Sequence, residues 1–368
     1  MANLDTTVAG CRNRQRRVLE LMQRERLDLV IVTRHEHVQW LAGPRFHWTF
    51  EPVAALAADG HVTLVAPTVT YKDAAADKVV SYESNRFSTL RNDQRQASSD
   101  ALVTALAGRP APKRIGVEFS SFGPHLATRF AAELVDVEPS LYYLRRRKEP
   151  DELARLQKAI DGTGLMYARG REIIEPGINE LEVFNQLQSV AVAHFGEMMT
   201  ATGNDYQSGT RGGPPRDRRA EDGELYILDL GPAYQGYFAD NCRAVAVNHR
   251  PTDDQQRACA KIAEVFTMIE RNVKPGVRCR DIFDAAQAIL DEYRPGAFDH
   301  HLGHGIGLYP HEAPHLNPKW DDTFEVGDVF TAEPGLYGPE LRAGIRLEND
   351  YLVTENGVRL LSDFPLGL

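Results

Sequence analysis

The sequence predicts two domains that mix helices and strands, a small α/β domain over residues 1–147 and a larger α+β domain over residues 148–368. The chain has 368 residues, which is more than a single hydrophobic core usually organises. Helix-like and strand-like segments alternate through the first part of the chain, as is typical of an α/β domain. In the second part, pairs of predicted strands flank central helices.

In the first part, the apolar residues recur with the period of a helix or run together as in a buried strand. Helices are predicted at residues 11–27, 98–107 and 124–135, and strands at 28–33, 54–57, 61–65 and 114–118. An aromatic cluster is predicted on a loop after the first strand, formed by Trp40, Phe46, His47 and Trp48. Two interpretations stay open for this cluster, lining of a substrate entrance (of this or a neighbouring subunit) and local core packing.

The second part is predicted to begin with a helix at residues 150–173, because Pro150 suits a first helical turn. Asn179 is the expected N-cap of a helix that ends near residue 195. A loop is predicted at 200–220, strands at 225–230, 237–247, 329–333 and 344–354, and helices at 252–272 and 280–292. The basic run at residues 145–148 is interpreted as a solvated linker.

Composition excludes several classes of protein. The net charge of −10 argues against nucleic acid as the main partner. The four cysteines form no CxxC pair and indicate no disulfide framework. No apolar stretch reaches the 18 residues of a membrane span, and residues 1–17 lack the apolar run of a signal peptide. We therefore expect a soluble cytoplasmic protein with reduced thiols and no membrane partner.

Two aspartates are predicted to face each other across a hairpin. Asp229 lies at the end of an apolar strand, and Asp240 follows it across a turn. A hairpin brings such residues side by side. A carboxylate in an apolar strand is costly unless its charge is compensated, for which a divalent cation is one means. A turn-capping role is the alternative.

Four of the twelve histidines fall within twelve residues, namely His300, His301, His304 and His311. Such a cluster favours a metal or catalytic site over a structural role. Glu333 and Glu348 lie in otherwise apolar strands, where each alone could be an ion-pair partner, for example of Arg346. Together, Asp229, Asp240, His304, Glu333 and Glu348 supply oxygen ligands and one imidazole. This donor set suits two divalent ions such as Mn²⁺, Co²⁺ or Zn²⁺, and such a pair activates water for hydrolysis.

The motifs DLG-x8-D, H-x3-HGIGL-x2-HE, EPG and GIR-x-END resemble those of the pita-bread metallopeptidase family, which includes Xaa-Pro aminopeptidase, prolidase and methionine aminopeptidase. The resemblance covers residues 150–368. The N-terminal part resembles, less specifically, the creatinase-type N-terminal domain of the proline-directed members. A pita-bread domain behind a creatinase-like domain is thus the fold that the resemblance implies.

The resemblance also implies a role for each matched residue. Asp229, Asp240, His304, Glu333 and Glu348 would be the metal ligands, with Asp240 and Glu348 bridging two ions. Mn²⁺ is the expected metal, and Co²⁺ and Zn²⁺ are the alternatives. Glu333 would also act as general base. His300, His311 and Arg346 would be catalytic and substrate-binding, with His311 polarising the scissile carbonyl or holding the tetrahedral intermediate. A homodimer is expected.

One position departs from the family pattern. Proline-directed members carry a histidine about seventeen residues before the first aspartate, and here that count falls on Gly212. His194 is too far upstream to match it. Arg211 and Tyr206 are the candidate replacements for this histidine on the substrate side.

Three functions are therefore weighed. The leading one is a metal-dependent hydrolase that cleaves an N-terminal Xaa-Pro bond, as an aminopeptidase or a dipeptidase. The second keeps the metal site but acts on a non-peptide small molecule, as a C–N hydrolase or a lyase of the creatinase, ectoine hydrolase or sulfonium lyase kind. The third is a non-catalytic binding module on the same fold.

Overall fold

The computed structural model describes residues 4–67 and 73–368, which form two compact units. One unit comprises the residues up to Arg145 together with Glu149–Glu152, and the other comprises Arg146–Lys148 together with Leu153–Leu368. The predicted boundary between residues 147 and 148 falls where the chain passes between the units, and it stays a prediction. Among the described residues, no helix is long and apolar enough to cross a membrane.

The first unit is built on a six-stranded mixed sheet in the order β4-β3-β2-β1-β7-β8. Strands β1, β2 and β3 pair antiparallel, whereas β3–β4, β1–β7 and β7–β8 pair parallel. Its elements are α1 (Leu4–Glu25), β1 (Leu29–Val32), α2 (His35–Ala42), β2 (Val53–Ala57), β3 (Val62–Pro67), β4 (Lys78–Tyr82), β5 (Asn85–Arg86), β6 (Thr89–Leu90), α3 (Gln94–Leu106), β7 (Arg114–Val117), α4 (Pro124–Ala127), β8 (Glu133–Asp136) and α5 (Glu138–Arg145).

Most predicted elements of this unit are confirmed, and two predictions are wrong. The helix predicted at 124–135 ends at Ala127, because residues 133–136 instead pair with β7 as a parallel edge strand. Trp40 lies on α2 rather than on a loop, and only 1% of it is exposed. Phe46 is also buried, whereas Trp48 is 78% exposed. The predicted aromatic cluster is therefore divided between core and surface.

The second unit carries several antiparallel sheets and four helices. Its elements are α6 (Pro150–Ile173, whose first turn belongs to the first unit), α7 (Glu180–Phe195), β9 (Asp205–Ser208), β10 (Leu225–Leu230), β11 (Ala233–Tyr234), β12 (Tyr237–Phe238), β13 (Asn241–Ala246), α8 (Asp253–Asn272), α9 (Cys279–Asp291), β14 (Gly303–Gly305), β15 (Glu312–Leu316), β16 (Val329–Ala332), β17 (Gly335–Gly338), a 3₁₀ turn (Pro339–Leu341), β18 (Ala343–Arg346), β19 (Asn349–Thr354) and β20 (Gly357–Leu360).

The sheets of this unit bring distant segments together. A three-stranded sheet has the order β13-β10-β9, and a five-stranded sheet has the order β15-β14-β16-β19-β20. Apolar side chains of α8 and α9 pack with those of β16 and β19 in one buried cluster. The predicted N-cap is confirmed, since the Asn179 side chain accepts a hydrogen bond from the Leu181 N–H. Thr252 and Gln255 form a capping box at the start of α8.

The structure corrects four predictions in this part of the chain. Part of the loop predicted at 200–220 is strand β9, which pairs with β10. The single strands predicted at 237–247 and 344–354 are each interrupted, and the interruptions contain Asp240 and Glu348. The basic run at 145–148 is not a solvated linker, because Arg146 binds Asp328 at 2.6 Å and Lys148 binds Glu312 at 3.3 Å, both buried.

Candidate metal centre

Two aspartates reach the centre from the sheet that contains β10 and β13. Asp229 is on β10, opposite Cys242 of β13, and Asp240 lies in the turn just before β13. Strand β10 is buried because most of its residues, Leu225–Leu230, are apolar. Asp229 is the one carboxylate in this strand. The predicted hairpin pairing between the two strands is confirmed.

The other three candidate ligands come from the second sheet and its connections. His304 is the middle residue of β14, Glu333 directly follows β16, and Glu348 lies between β18 and β19. Backbone hydrogen bonds fix both glutamates: the Glu333 N–H donates to the Leu302 carbonyl at 2.7 Å, and the Glu348 N–H donates to the Cys242 carbonyl at 2.9 Å. The two sheets therefore meet at this centre.

The five side chains lie close enough to share metal ions. Ligand atoms of His304, Glu333 and Glu348 all lie within 4.8 Å of one another, and so do those of Asp229, Asp240 and Glu348. Glu348 belongs to both groups. All five line one cavity of about 310 Å³, together with His301 and His311.

The carboxylates of the centre are buried beside one another, and this raises the pKa of most of them. Burial raises the pKa of Asp229 to about 6, against the opposing charge of Arg346. Burial, together with the charge of Asp229, raises the pKa of Asp240 well above its usual value, and burial beside Asp240 does the same for Glu348. Burial also opposes ionisation of Glu333, but a hydrogen bond from His301 outweighs it and lowers the Glu333 pKa to about 2. Ionisation of several carboxyl groups this close together is unfavourable unless a cation lies between them.

The ring of His304 is oriented for a ligand. Its Nδ1 lies 3.1 Å from the Gly305 carbonyl, so Nδ1 carries the proton and donates it there. Nε2 is left as a lone-pair donor, 3.5 Å from Glu333 Oε1 and 3.7 Å from Asp240 Oδ2. Burial lowers the pKa of His304 to about 3, so the imidazole is neutral. A neutral imidazole held by a carbonyl is the usual state of a metal-binding histidine.

The other histidines surround this group in different ways. His311 stacks on His304 with ring centroids 3.7 Å apart and is exposed to the cavity. His301, which the sequence did not single out as a site residue, lies with Nε2 2.8 Å from Glu333 Oε1. His300 donates from Nδ1 to the His301 carbonyl and accepts at Nε2 from the Tyr337 hydroxyl. Burial lowers the pKa of His300 to about 4, which keeps it neutral.

Arg346 is close to the centre, but protein groups occupy its guanidinium. Nε and Nη2 donate to the Asp229 carboxylate at 3.1 and 2.7 Å, and Nη2 also donates to Asp205. Nη1 donates to the Arg211 carbonyl at 3.2 Å and contacts the Tyr337 hydroxyl at 3.4 Å. These contacts match the five N–H groups that an arginine has.

The structure shows why residue 212 is a glycine. Gly212 has a φ of +138°, and a Cβ atom there would overlap with the carboxylate of Asp205. The Asp205 carboxylate is held in this place by the N–H of Gly213 at 2.7 Å. Of the two candidate replacements for the family histidine, Arg211 stacks on Tyr337 and pairs with Asp299, and Tyr206 is fully buried. Asp205, which the sequence did not indicate, is the polar side chain that fills the space beside Gly212.

We predict that Gly212→Ala destabilises the protein by about 1–3 kcal/mol, because it combines a strained backbone with an overlap against a fixed carboxylate. Thermal unfolding measures the loss. Gly276→Ala is the matched control, since Gly276 also has a positive φ (+85°) but has open space where the Cβ would lie. Equal losses in the two variants would contradict the predicted overlap with Asp205.

Comparison with known proteins places this geometry in a family. Residues 154–355 match the model of metallopeptidase family M24, and residues 14–146 match the creatinase/prolidase N-terminal domain. The chain belongs to metallopeptidase family M24. The predicted combination of a creatinase-like domain and a pita-bread domain is thereby confirmed. Membership of this metallopeptidase family implies divalent metal ions.

Individual M24 relatives are distant in sequence, and a solved structure among them agrees with this chain in fold. An uncharacterized peptidase of Staphylococcus epidermidis is 32% identical over 236 residues, which is 62% of this chain and 66% of that relative's length. A Xaa-Pro dipeptidase of Pyrococcus horikoshii is 27% identical over 358 residues, 94% of this chain and 96% of the relative. The solved Xaa-Pro dipeptidase from Bacillus anthracis superposes with a TM-score of 0.82 at 21% identity, covering 97% of this chain and 99% of that structure.

Proposed function

We propose that this M24 member is a dinuclear metallopeptidase that cleaves the bond between an N-terminal residue and a following proline. The observation that carries the proposal is the convergence of Asp229, Asp240, His304, Glu333 and Glu348 on one cavity. The full-length similarity to the Pyrococcus Xaa-Pro dipeptidase supports the choice of reaction.

The residues of the centre fit two divalent ions. Both carboxylate oxygens of Glu348 are buried without a hydrogen-bond partner, which is costly for a carboxylate unless a cation binds it. His304 and Glu333 would hold one ion with Glu348, and Asp229 and Asp240 would hold the other with Glu348. Asp240 also lies within ligand distance of His304, which supports the proposed bridging roles of Asp240 and Glu348.

The chain's own groups would position the substrate and handle protons. Two bound divalent ions would lower the pKa of the attacking water and would act as a Lewis acid on the scissile carbonyl. Glu333, whose carboxylate is held by His301, is proposed to take a proton from the attacking water. His311 faces the cavity and is proposed to hydrogen-bond the carbonyl oxygen as charge develops on it. His300 and Arg346 are proposed to influence substrate binding indirectly. His300 holds the Tyr337 hydroxyl in place, and Arg346 holds the Asp229 carboxylate.

The identity of the metal, the oligomeric state and the location in the cell are further parts of the proposal. We propose Mn²⁺ as the metal, because the donor set is mainly carboxylate oxygen, and Co²⁺ and Zn²⁺ are the alternatives. We also propose a cytoplasmic homodimer. The four cysteines, all free, support a reducing compartment. Metal analysis of the purified protein tests the identity of the metal, and light scattering tests the homodimer.

The function is tested with purified protein loaded with Mn²⁺ and a panel of Xaa-Pro dipeptides and longer Xaa-Pro peptides. We expect release of the N-terminal residue from the proline peptides, and little release from matched peptides with alanine in place of proline. A chelator should stop the reaction and added Mn²⁺ should restore it. The absence of turnover on the whole proline panel would contradict the proposal.

A second candidate function keeps the metal centre and changes the substrate to a small non-peptide molecule with a C–N or C–S bond. The observation that favours it is the pair of Gly212 and Asp205, which stands where proline-directed relatives are expected to carry a histidine. Turnover of such molecules, with none on the proline panel, would establish this second function in place of the first.

A further inference from the structure

Asp205 lies beside the metal centre without belonging to the set of candidate ligands. It is directly opposite Asp229 in the antiparallel pairing of β9 and β10, so both carboxylates are on the same face. Like charges in directly opposed positions destabilise a sheet unless a cation bridges them. Arg346 is that cation, since its Nη2 donates to both carboxylates.

This bridge leaves no N–H group of Arg346 for a substrate carboxylate. The guanidinium already donates to Asp229, Asp205, the Arg211 carbonyl and the Tyr337 hydroxyl. The group that lines the cavity on this side is instead the carboxylate of Asp205, whose side chain is 19% exposed. A substrate therefore meets a negative charge here.

The Asp205 carboxylate is also fixed in position. The N–H of Gly213 donates to its Oδ1, and its Oδ2 lies against the space that Gly212 keeps free of a side chain. A carboxylate held from two sides cannot turn away from an incoming group of the same charge. Removing either contact would require the loop at 209–213 to move.

We propose that Asp205 is a specificity-determining residue that makes the site prefer peptides extended beyond the proline over free Xaa-Pro dipeptides. The inference rests on the proposed function and narrows its substrate class. A free dipeptide ends in a carboxylate on the proline itself, which Asp205 repels. In a longer peptide the same place is taken by an amide, whose N–H donates to Asp205 in a charge-assisted hydrogen bond.

The test compares Ala-Pro with Ala-Pro-Ala and with Ala-Pro-amide on the metal-loaded enzyme. We expect the KM of the free dipeptide to be about tenfold higher or more, because like charges are brought together on binding. The kcat values should differ less, since the scissile bond is the same. Product binding gives a second readout: prolinamide should bind more tightly than proline in calorimetry.

Asp205→Asn removes the charge while keeping the size and the contact with the Gly213 N–H. It is expected to lower the KM ratio of dipeptide to longer peptide several-fold, with metal content and thermal unfolding measured alongside. Asp217→Asn is the matched control, since Asp217 is exposed in the same segment and its side chain accepts a hydrogen bond from the Asn179 amide at 2.8 Å. It should leave the ratio unchanged.

The outcomes separate this inference from the proposed function. A wild-type enzyme that cleaves all three substrates with equal KM overturns the role of Asp205 and leaves the Xaa-Pro activity standing. An Asp205→Asn variant that folds, binds metal and keeps the wild-type ratio overturns it as well. Failure to cleave any of the three overturns the proposed function, and the inference with it. A wild-type KM that is lower for the free dipeptide than for the two longer substrates also overturns the role of Asp205.

Discussion

Glu348→Ala is expected to abolish activity and to reduce the bound metal to one ion per chain or less. Glu348 is grouped with His304 and Glu333 and also with Asp229 and Asp240, and its buried carboxylate oxygens have no hydrogen-bond partner. Loss of a shared ligand opens both metal positions. Metal ions contribute several kcal/mol of charge stabilisation in the transition state, so kcat/KM should fall by about 1,000-fold or more. Elemental analysis and turnover of an Xaa-Pro peptide measure the two effects.

Further variants distinguish an effect on metal binding from an effect on folding. Glu355→Ala changes an exposed glutamate a few residues away on the same hairpin and should keep both metal and activity. Asp240→Ala should behave like Glu348→Ala, because Asp240 is also shared between ligand groups. His311→Ala should lower turnover while leaving the metal bound. A Glu348→Ala enzyme with two tightly bound ions would remove Glu348 from the ligand set.

The sequence carries the identities of the ligand candidates because each one breaks a local rule. The apolar strand at 225–230 contains a carboxylate, and the segment at 300–307 places histidines between glycines. Such polar groups destabilise the fold unless a partner compensates them, and they are expected at functional sites. The structure brings all five of these side chains to one cavity. Their roles as ligands stay proposals until metal is measured.

Asp205 and His301 show what the sequence could not supply. Asp205 stands in a short polar segment that is typical of a loop, and only pairing with β10 gives it a fixed direction. The significance of Gly212 depends on Asp205, so it too is visible only in three dimensions. His301 is one of four clustered histidines, and its contact with Glu333 depends on how two distant strands meet. Long-range pairing, rather than local pattern, decides such positions.

The secondary structure was likewise predictable from the sequence only in part. The long periodic helices were predictable, because α6 and α8 follow helical spacing and begin at a proline and a capping box. The edge strand β8 was predicted as helix, since four residues carry too little pattern to oppose the preceding helical run. Its identity comes from pairing with β7. The buried cations of residues 145–148 were equally hidden, because their carboxylate partners are distant in sequence.

Metal-free protein is expected to lose stability relative to metal-loaded protein as the pH rises above the usual carboxylate range. Burial raises the pKa of Asp240 and Glu348 well above their usual values. A group whose folded pKa is raised stabilises the fold below its unfolded pKa, and this contribution is lost as the pH climbs toward the folded pKa. Each group that stays protonated costs about 1.4 kcal/mol per pH unit. The histidines His300 and His304, whose pKa values are lowered, act in the opposite direction but only below about pH 7.

Thermal unfolding of chelator-treated and Mn²⁺-loaded protein at several pH values measures this effect. The metal-loaded midpoint should exceed the metal-free midpoint by a margin that grows by roughly 5 °C or more as the pH rises, because bound divalent ions compensate the carboxylates. Asp240→Asn supplies the matched control, because it removes one titrating group and should reduce the slope of the metal-free protein. A difference between the two midpoints that stays constant or narrows as the pH rises would mean that these carboxylates are already ionised at the lowest pH. The centre would then carry its negative charge before any metal arrives, and metal binding would release few protons at pH 7.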